Sequence, residues 1–157
     1  MKHHVSNSNA SSAFSRQTGL DARTWRYLEP ILEALQQAEH QIGRFRFYGY
    51  LAAVYRTYKE WTDLRISKRM ARHLAECFEI PRRKGTSPVR TLIDATFPAL
   101  DPKQKSRWSR ALEFAALTKT APETLPALFK KHSGIAGCAR FAAREKPKRD
   151  IYRNDWA

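Results

Sequence analysis

Cysteine is scarce in this sequence, since only Cys77 and Cys138 occur among 157 residues and they lie 61 residues apart. No pair therefore has the short spacing of a metal site or a redox-active dithiol, and the chain is expected to be reduced and intracellular. Long apolar runs are also missing, so no membrane-spanning segment is predicted. The polar stretch that begins with Met1–His4 contains no apolar segment of the kind found in secretory signal peptides, so no such signal is predicted. We therefore expect a cytoplasmic protein with no membrane partner.

Catalytic motifs are absent as well. The sequence contains no Gly-rich phosphate-binding loop, no Gly-x-Ser-x-Gly and no His-Glu-x-x-His. Its acidic residues are outnumbered and form no cluster able to hold catalytic magnesium. His73 and Cys77 lie four residues apart on a predicted helix and could form half of a metal site, but no second pair completes it, which favours buried packing. We therefore expect a protein that is not an enzyme and holds no metal or cofactor.

Positive charge is what the sequence has in excess. Lys and Arg total 29 against 15 Asp and Glu, which gives a net charge of +14. The excess is uneven: residues 1–40 are neutral, residues 41–90 carry twelve basic and four acidic residues, and residues 91–157 carry thirteen and seven. Cations attract phosphate backbones because each contact releases condensed counterions, and Arg suits bidentate phosphate contacts. This predicts nucleic acid or a nucleoprotein as partner, with an acidic protein surface or an anionic membrane as alternatives.

The periodicity of the apolar residues predicts an all-α fold. With 42% hydrophobic residues, the chain is expected to form one compact domain over residues 20–144, between a flexible N-terminal tail (1–19) and a basic C-terminal arm (145–157). Apolar residues recur at three- and four-residue steps, and Asp21, Ser67, Ser87 and Asp101 are predicted helix caps. The six or seven short helices cover about 21–41, 44–64, 68–79, 87–96, 103–118, 122–133 and 135–144.

The second of these helices is unusually aromatic, and its beginning is ambiguous. The run Phe45–Tyr50 could also form a strand, although the pattern continues well past strand length and favours a helix. Aromatic rings interleaved with Arg and Lys could stack on the bases of a single strand. More often such a stripe is core, and we expect that here, with one or two tyrosines exposed.

The strongest candidate site is the segment Ser67–Thr96, whose cations all lie within residues 67–90, called the basic segment below. It carries a helix, a basic loop and a second capped helix, which in outline resembles a helix-turn-helix with residues 71–80 supporting and residues 87–96 reading DNA. Its linker is longer than the motif's tight turn, and two core helices with a solvated basic loop are the alternative. The candidate binding residues are Lys68, Arg69, Arg72, Arg82, Arg83, Lys84, Ser87 and Arg90.

A second candidate lies near the C-terminus. The stretch His132–Ala142 contains Gly-Ile-Ala-Gly-Cys-Ala-Arg, which resembles the opening of some bacterial helix-turn-helix domains. That resemblance implies a groove-reading helix over residues 148–156, although Pro147 departs from the pattern. The alternative is tight helix packing through small residues, with a basic arm that orders on phosphate. The candidate binding residues here are Arg140, Lys146, Lys148, Arg149 and Arg153.

These patterns lead to three hypotheses. The first is a small DNA-binding protein, such as a bacterial transcriptional regulator or an accessory factor of a mobile element. The second is a helical small subunit of a ribonucleoprotein, whose basic face follows a strand without reading its sequence. The third is a protein-interaction factor or inhibitor that binds an acidic partner surface. DNA is expected rather than RNA, and the sequence predicts no oligomeric state.

Overall fold

The computed structural model describes residues 19–144, and this range consists of seven α-helices, one 3-10 turn and their connections, with no strand. The predicted all-α fold is therefore confirmed. The predicted tail and arm lie outside the described residues, apart from Gly19. Within the described range the chain forms two compact units, which meet in sequence at Leu100 and Asp101. Each unit is described by itself, and the single domain expected over residues 20–144 stays a prediction.

The first unit contains four helices: α1 (Ala22–Glu39), α2 (Tyr48–Asp63), α3 (Ser67–Cys77) and α4 (Pro88–Thr96). Helix α1 packs on α2, α3 packs on α4, and α2 also contacts α4. The apolar stripes that predict these helices supply the buried core of this unit. The fully buried side chains include Leu28, Ile31, Leu51, Leu74, Leu92 and Ile93.

Two of the three predicted caps in this unit are confirmed. The Asp21 carboxylate accepts a hydrogen bond from the Thr24 amide at 2.7 Å, and this bond contributes to lowering the pKa of Asp21. The Ser87 hydroxyl accepts one from the Arg90 amide at 3.3 Å. The predicted cap at Ser67 is wrong: Ser67 is the first residue of α3, and Ile66 precedes it without any side-chain cap.

The predicted start of the second helix is also wrong. Residues 44–47 form turns, in which the Arg46 and Tyr48 amides donate to the Gly43 and Phe45 carbonyls. Gly43 has a φ of +123°, a non-helical conformation that favours glycine, and it lies in the connection between α1 and α2. Ile42, predicted on the apolar stripe of the first helix, is fully exposed because α1 ends at Glu39.

The second unit contains α5 (Pro102–Leu117), a 3-10 turn (Pro122–Thr124), α6 (Leu125–Lys131) and α7 (Gly134–Arg144). Asp101 caps α5 as predicted, since its carboxylate accepts the Lys103 and Gln104 amides at 2.9 and 3.2 Å. Helix α7 packs on both α5 and α6. The buried side chains between them include Trp108, Leu112, Leu125, Phe129 and Cys138.

Candidate nucleic-acid interface

The basic segment presents nearly all of its cations to solvent. Lys68, Arg69 and Arg72 lie on the exposed side of α3, opposite its buried apolar residues. Arg82, Arg83 and Lys84 lie in the loop that follows, and all three are exposed. The structure thus brings six of the predicted site residues to the solvent-accessible surface of one unit.

The two remaining candidate binding residues of the basic segment, Ser87 and Arg90, have structural roles. Ser87 caps α4, and Arg90 is partly buried with its Nε 3.3 Å from a carboxylate oxygen of Asp94 on the same helix. Six of the nine residues of α4 are buried, and ten residues (78–87) separate it from α3. Helix α4 therefore offers few side chains to a DNA groove, and the helix-turn-helix interpretation stays a prediction.

The aromatic stripe of α2 forms core, as expected, but the expected exposed tyrosines are absent from it, since Tyr48 and Tyr58 are half-buried. Tyr50, Tyr55 and Trp61 are fully buried. The Tyr50 hydroxyl lies 2.8 Å from the Thr96 hydroxyl, and burial raises the pKa of Tyr50 well above its usual value. These rings stabilise the first unit and are not available to stack on bases.

A different aromatic group is exposed, in the turn before α2. Phe45 is 61% exposed, and the Arg44 guanidinium lies 5.9 Å from the centre of its ring. Arg46 lies similarly against Phe47, at 4.6 Å, and Phe47 packs on Phe97. This turn combines an exposed ring with two cations, which is the composition that single-strand stacking surfaces use.

The second predicted candidate is described only in part. Residues 134–144 are helical as predicted, and Arg140 is exposed on α7. Gly137 lies directly against the backbone carbonyl of His132, where a Cβ would collide, so this position of α7 requires glycine. Lys146, Lys148, Arg149 and Arg153, like the predicted groove-reading helix, lie outside the described residues.

A basic groove with a volume of about 620 Å³ lies between α5 and α7 of the second unit. Its lining includes Lys103, Arg107, Arg110 and Arg140, and it includes no acidic residue. Of these four residues, only Arg140 is among the predicted binding residues. The missed signal was the spacing of residues 103, 107 and 110, since steps of four and three place side chains on one helix face.

His73 and Cys77 pack against each other, as their helical spacing predicts, but both residues are half-buried and not buried as expected. The Cys77 sulfur lies 3.7 Å from His73 Nε2, and burial raises the pKa of the Cys77 thiol. Over residues 19–144 no group of three or more potential ligands is arranged to hold a metal ion.

Comparison with known proteins identifies no relative from which a function could be inferred. The chain matches no protein family, and no curated protein or solved structure is significantly similar to it. None of the helices in the described part of the chain has the length and apolar character needed to cross a membrane.

Proposed function

We propose that this protein binds nucleic acid, with DNA as the preferred form, and that it catalyses no reaction. The observation that carries the proposal is the exposed charge of the basic segment. Residues 68–90 contain seven basic residues and only two acidic ones, Glu76 and Glu79, and six of the seven cations are exposed. A local net charge of +5 on a folded surface creates a strong field for polyanions. A cytoplasmic location is part of this proposal.

The arrangement of these cations favours phosphate contacts. Helix α3 fixes the backbone positions of Lys68, Arg69 and Arg72, so part of the ordering entropy is lost during folding rather than on binding. The adjoining loop adds Arg82, Arg83 and Lys84, whose side chains can follow a curved backbone. In a helix-turn-helix-like mode, α3 would supply phosphate contacts that set the orientation of the protein on a duplex.

A ribonucleoprotein subunit that follows a single strand is the second candidate function. The exposed ring of Phe45, flanked by Arg44 and Arg46, is the observation that favours it. Stacking of a base on an aromatic ring stabilises a complex by about 1–3 kcal/mol and tolerates any sequence. Under this alternative, binding to an unstacked single strand would exceed binding to a duplex of equal length.

Salt dependence tests the proposal directly. Fluorescence anisotropy with labelled duplex and single-stranded oligonucleotides measures affinity over a series of salt concentrations. With about six phosphate contacts, log affinity for duplex should fall against log salt with a slope of about 5. Preference for one duplex sequence supports groove reading, whereas equal affinity for all single strands supports the second candidate.

Two outcomes would contradict nucleic-acid binding. One is the absence of binding at low salt. The other is an affinity that does not change with salt, because apolar contacts survive screening whereas phosphate contacts do not. Salt-resistant binding to a protein partner would favour the protein-interaction hypothesis instead.

A further inference from the structure

We infer that the basic groove between α5 and α7 binds a stretch of sugar-phosphate backbone, as a second contact site of the proposed nucleic-acid-binding function. The inference rests on that function, but on different residues and in a different compact unit. It concerns Lys103, Arg107 and Arg110 of α5, which face Arg140 of α7 across the groove.

Within residues 19–144, no ion pair compensates the charge of the groove. All four basic side chains are exposed, and no ion pair joins any of them to a carboxylate among the described residues. Arg107 donates a hydrogen bond to the neutral amide oxygen of Gln104, at 3.5 Å. The neighbouring carboxylate of Asp101 is occupied with capping α5. The groove therefore holds four cations that are available to an anionic ligand.

The spacing of the α5 cations suits a linear polyanion. At about 1.5 Å per residue, the seven-residue step from Lys103 to Arg110 spans roughly 10 Å along the helix axis. Phosphates follow one another at about 3.4 Å along the axis of one strand of a duplex, so this row matches about three of them. Arg140 faces the row from the other wall, and three of the four cations are arginines, which bind phosphate bidentately.

The floor of the groove suits the sugars between those phosphates. The apolar part of its lining consists of Ala136, Ala139 and Ala143 on α7, together with Pro102 at the start of α5. These short apolar side chains let a ligand backbone approach the helices closely. They also provide contact surface for sugar faces, which lack charge. A folded acidic protein surface has no comparable regular alternation, so we favour the nucleic-acid backbone as the occupant.

A pair of matched triple variants tests the inference. In the groove variant, Arg107→Gln, Arg110→Gln and Arg140→Gln remove three cations. In the control, Lys119→Asn, Lys130→Gln and Lys131→Gln remove three exposed cations of the same unit that do not line the groove. Asn is used at position 119 because Lys119 has a φ of +53°, which Asn tolerates. Circular dichroism and thermal melting show whether both variants fold.

The expected result is a change in the salt slope of oligonucleotide binding. Loss of three phosphate contacts should lower the slope by about 2–3 and weaken binding roughly hundredfold at moderate salt, whereas the control slope should not change. If the groove triple melts at a lower temperature, Arg110→Gln and Arg140→Gln alone should each lower the slope by about 1. Polyglutamate and a mononucleotide are tested as competing ligands in the same assay.

The possible outcomes distinguish failure of the groove inference from failure of the proposed function. If the wild-type protein binds with a steep slope and both triples lower it equally, the groove inference is wrong and the proposed function stands. If the wild-type protein binds no oligonucleotide, the proposed function itself fails. Groove-dependent binding of polyglutamate as tight as that of the oligonucleotide overturns the inference in favour of an acidic protein, and tighter binding of the mononucleotide overturns it in favour of a small phosphorylated ligand.

Discussion

Gly137 has no room for a side chain in the second unit. A Cβ at this position would collide with the His132 carbonyl, which belongs to the backbone and cannot move alone. Gly137→Ala should therefore destabilise the protein by roughly 1–3 kcal/mol, as overpacking does. Gly49→Ala is the control, since nothing lies within 4 Å of its position in α2, and it should be neutral or stabilise by up to about 1 kcal/mol. Urea unfolding of the two variants checks this, and equal stability would contradict the packing argument.

Tyr50 and Tyr55 should make the first unit sensitive to alkaline pH. Burial raises the pKa of Tyr50 far above its usual value of 10 and raises that of Tyr55 to about 12. A tyrosine whose pKa is higher in the folded than in the unfolded state stabilises fully below pH 10. That contribution is lost as pH rises through about 12, so the free energy of unfolding should fall over this range.

The variant Tyr50→Phe separates this effect from general alkaline unfolding. The substitution removes the 2.8 Å hydrogen bond to Thr96, but the Thr96 hydroxyl keeps its bond to the Leu92 carbonyl at 2.7 Å. A cost of about 1 kcal/mol or less at neutral pH is therefore expected. The variant should also lose less stability than wild type between neutral and alkaline pH. Identical pH profiles of the two proteins would show that Tyr50 does not cause the dependence.

At the scale of helices, the two serines predicted to cap a helix, Ser67 and Ser87, should respond differently to substitution. Ser87 accepts a hydrogen bond from the Arg90 amide, so Ser87→Ala should destabilise the protein by about 1 kcal/mol. Ser67 lies inside α3 and caps nothing, so Ser67→Ala should have little effect or stabilise slightly, because Ala favours the helix. Thermal melting of both variants provides the comparison, and an equal loss of stability would contradict the assigned helix start.

The two serines also show what local sequence can predict about this fold. Caps such as Asp21 and Asp101 depend on neighbouring amides alone, and the sequence identified them correctly. The start of α3 depends on how α2 ends: the Ile66 amide bonds to the Trp61 carbonyl at 2.8 Å, and Arg65 has a φ of +57°. That connection brings the chain into helical geometry one residue earlier than predicted, and no pattern around Ser67 indicates it.

The candidate binding sites also depend partly on local sequence, which can be predicted, and partly on the packing of distant helices, which cannot. Exposure of Lys68, Arg69 and Arg72 follows from helical periodicity, because apolar residues occupy the opposite face of α3. The groove requires Arg140 to face α5 across a connection that includes α6, and this packing cannot be read from spacing. Only the alignment of the α5 cations was accessible from the sequence.

At the scale of the whole molecule, the basic segment should contribute more to nucleic-acid binding than the basic C-terminal arm. Replacing Arg82, Arg83 and Lys84 with Ala removes three exposed cations from the loop after α3. Replacing Lys146, Lys148 and Arg149 with Ala removes the same charge from the sequence beyond α7. Electrostatic attraction alone predicts equal losses of affinity. The first triple should lose more, because its cations adjoin those that α3 holds in place and less conformational entropy is lost on binding.

The readout has to distinguish lost contacts from lost folding and from lost specificity. Circular dichroism and thermal melting identify any variant that unfolds, and anisotropy titrations on two duplex sequences then give affinity and discrimination together. If the basic segment sets the position of the protein on a duplex, its triple should also reduce discrimination between sequences. Equal losses in two folded variants would refute the claim that residues 67–90 form the site. A larger loss from the arm would favour the C-terminal helix-turn-helix-like hypothesis, in which Arg149 and Arg153 belong to the reading helix.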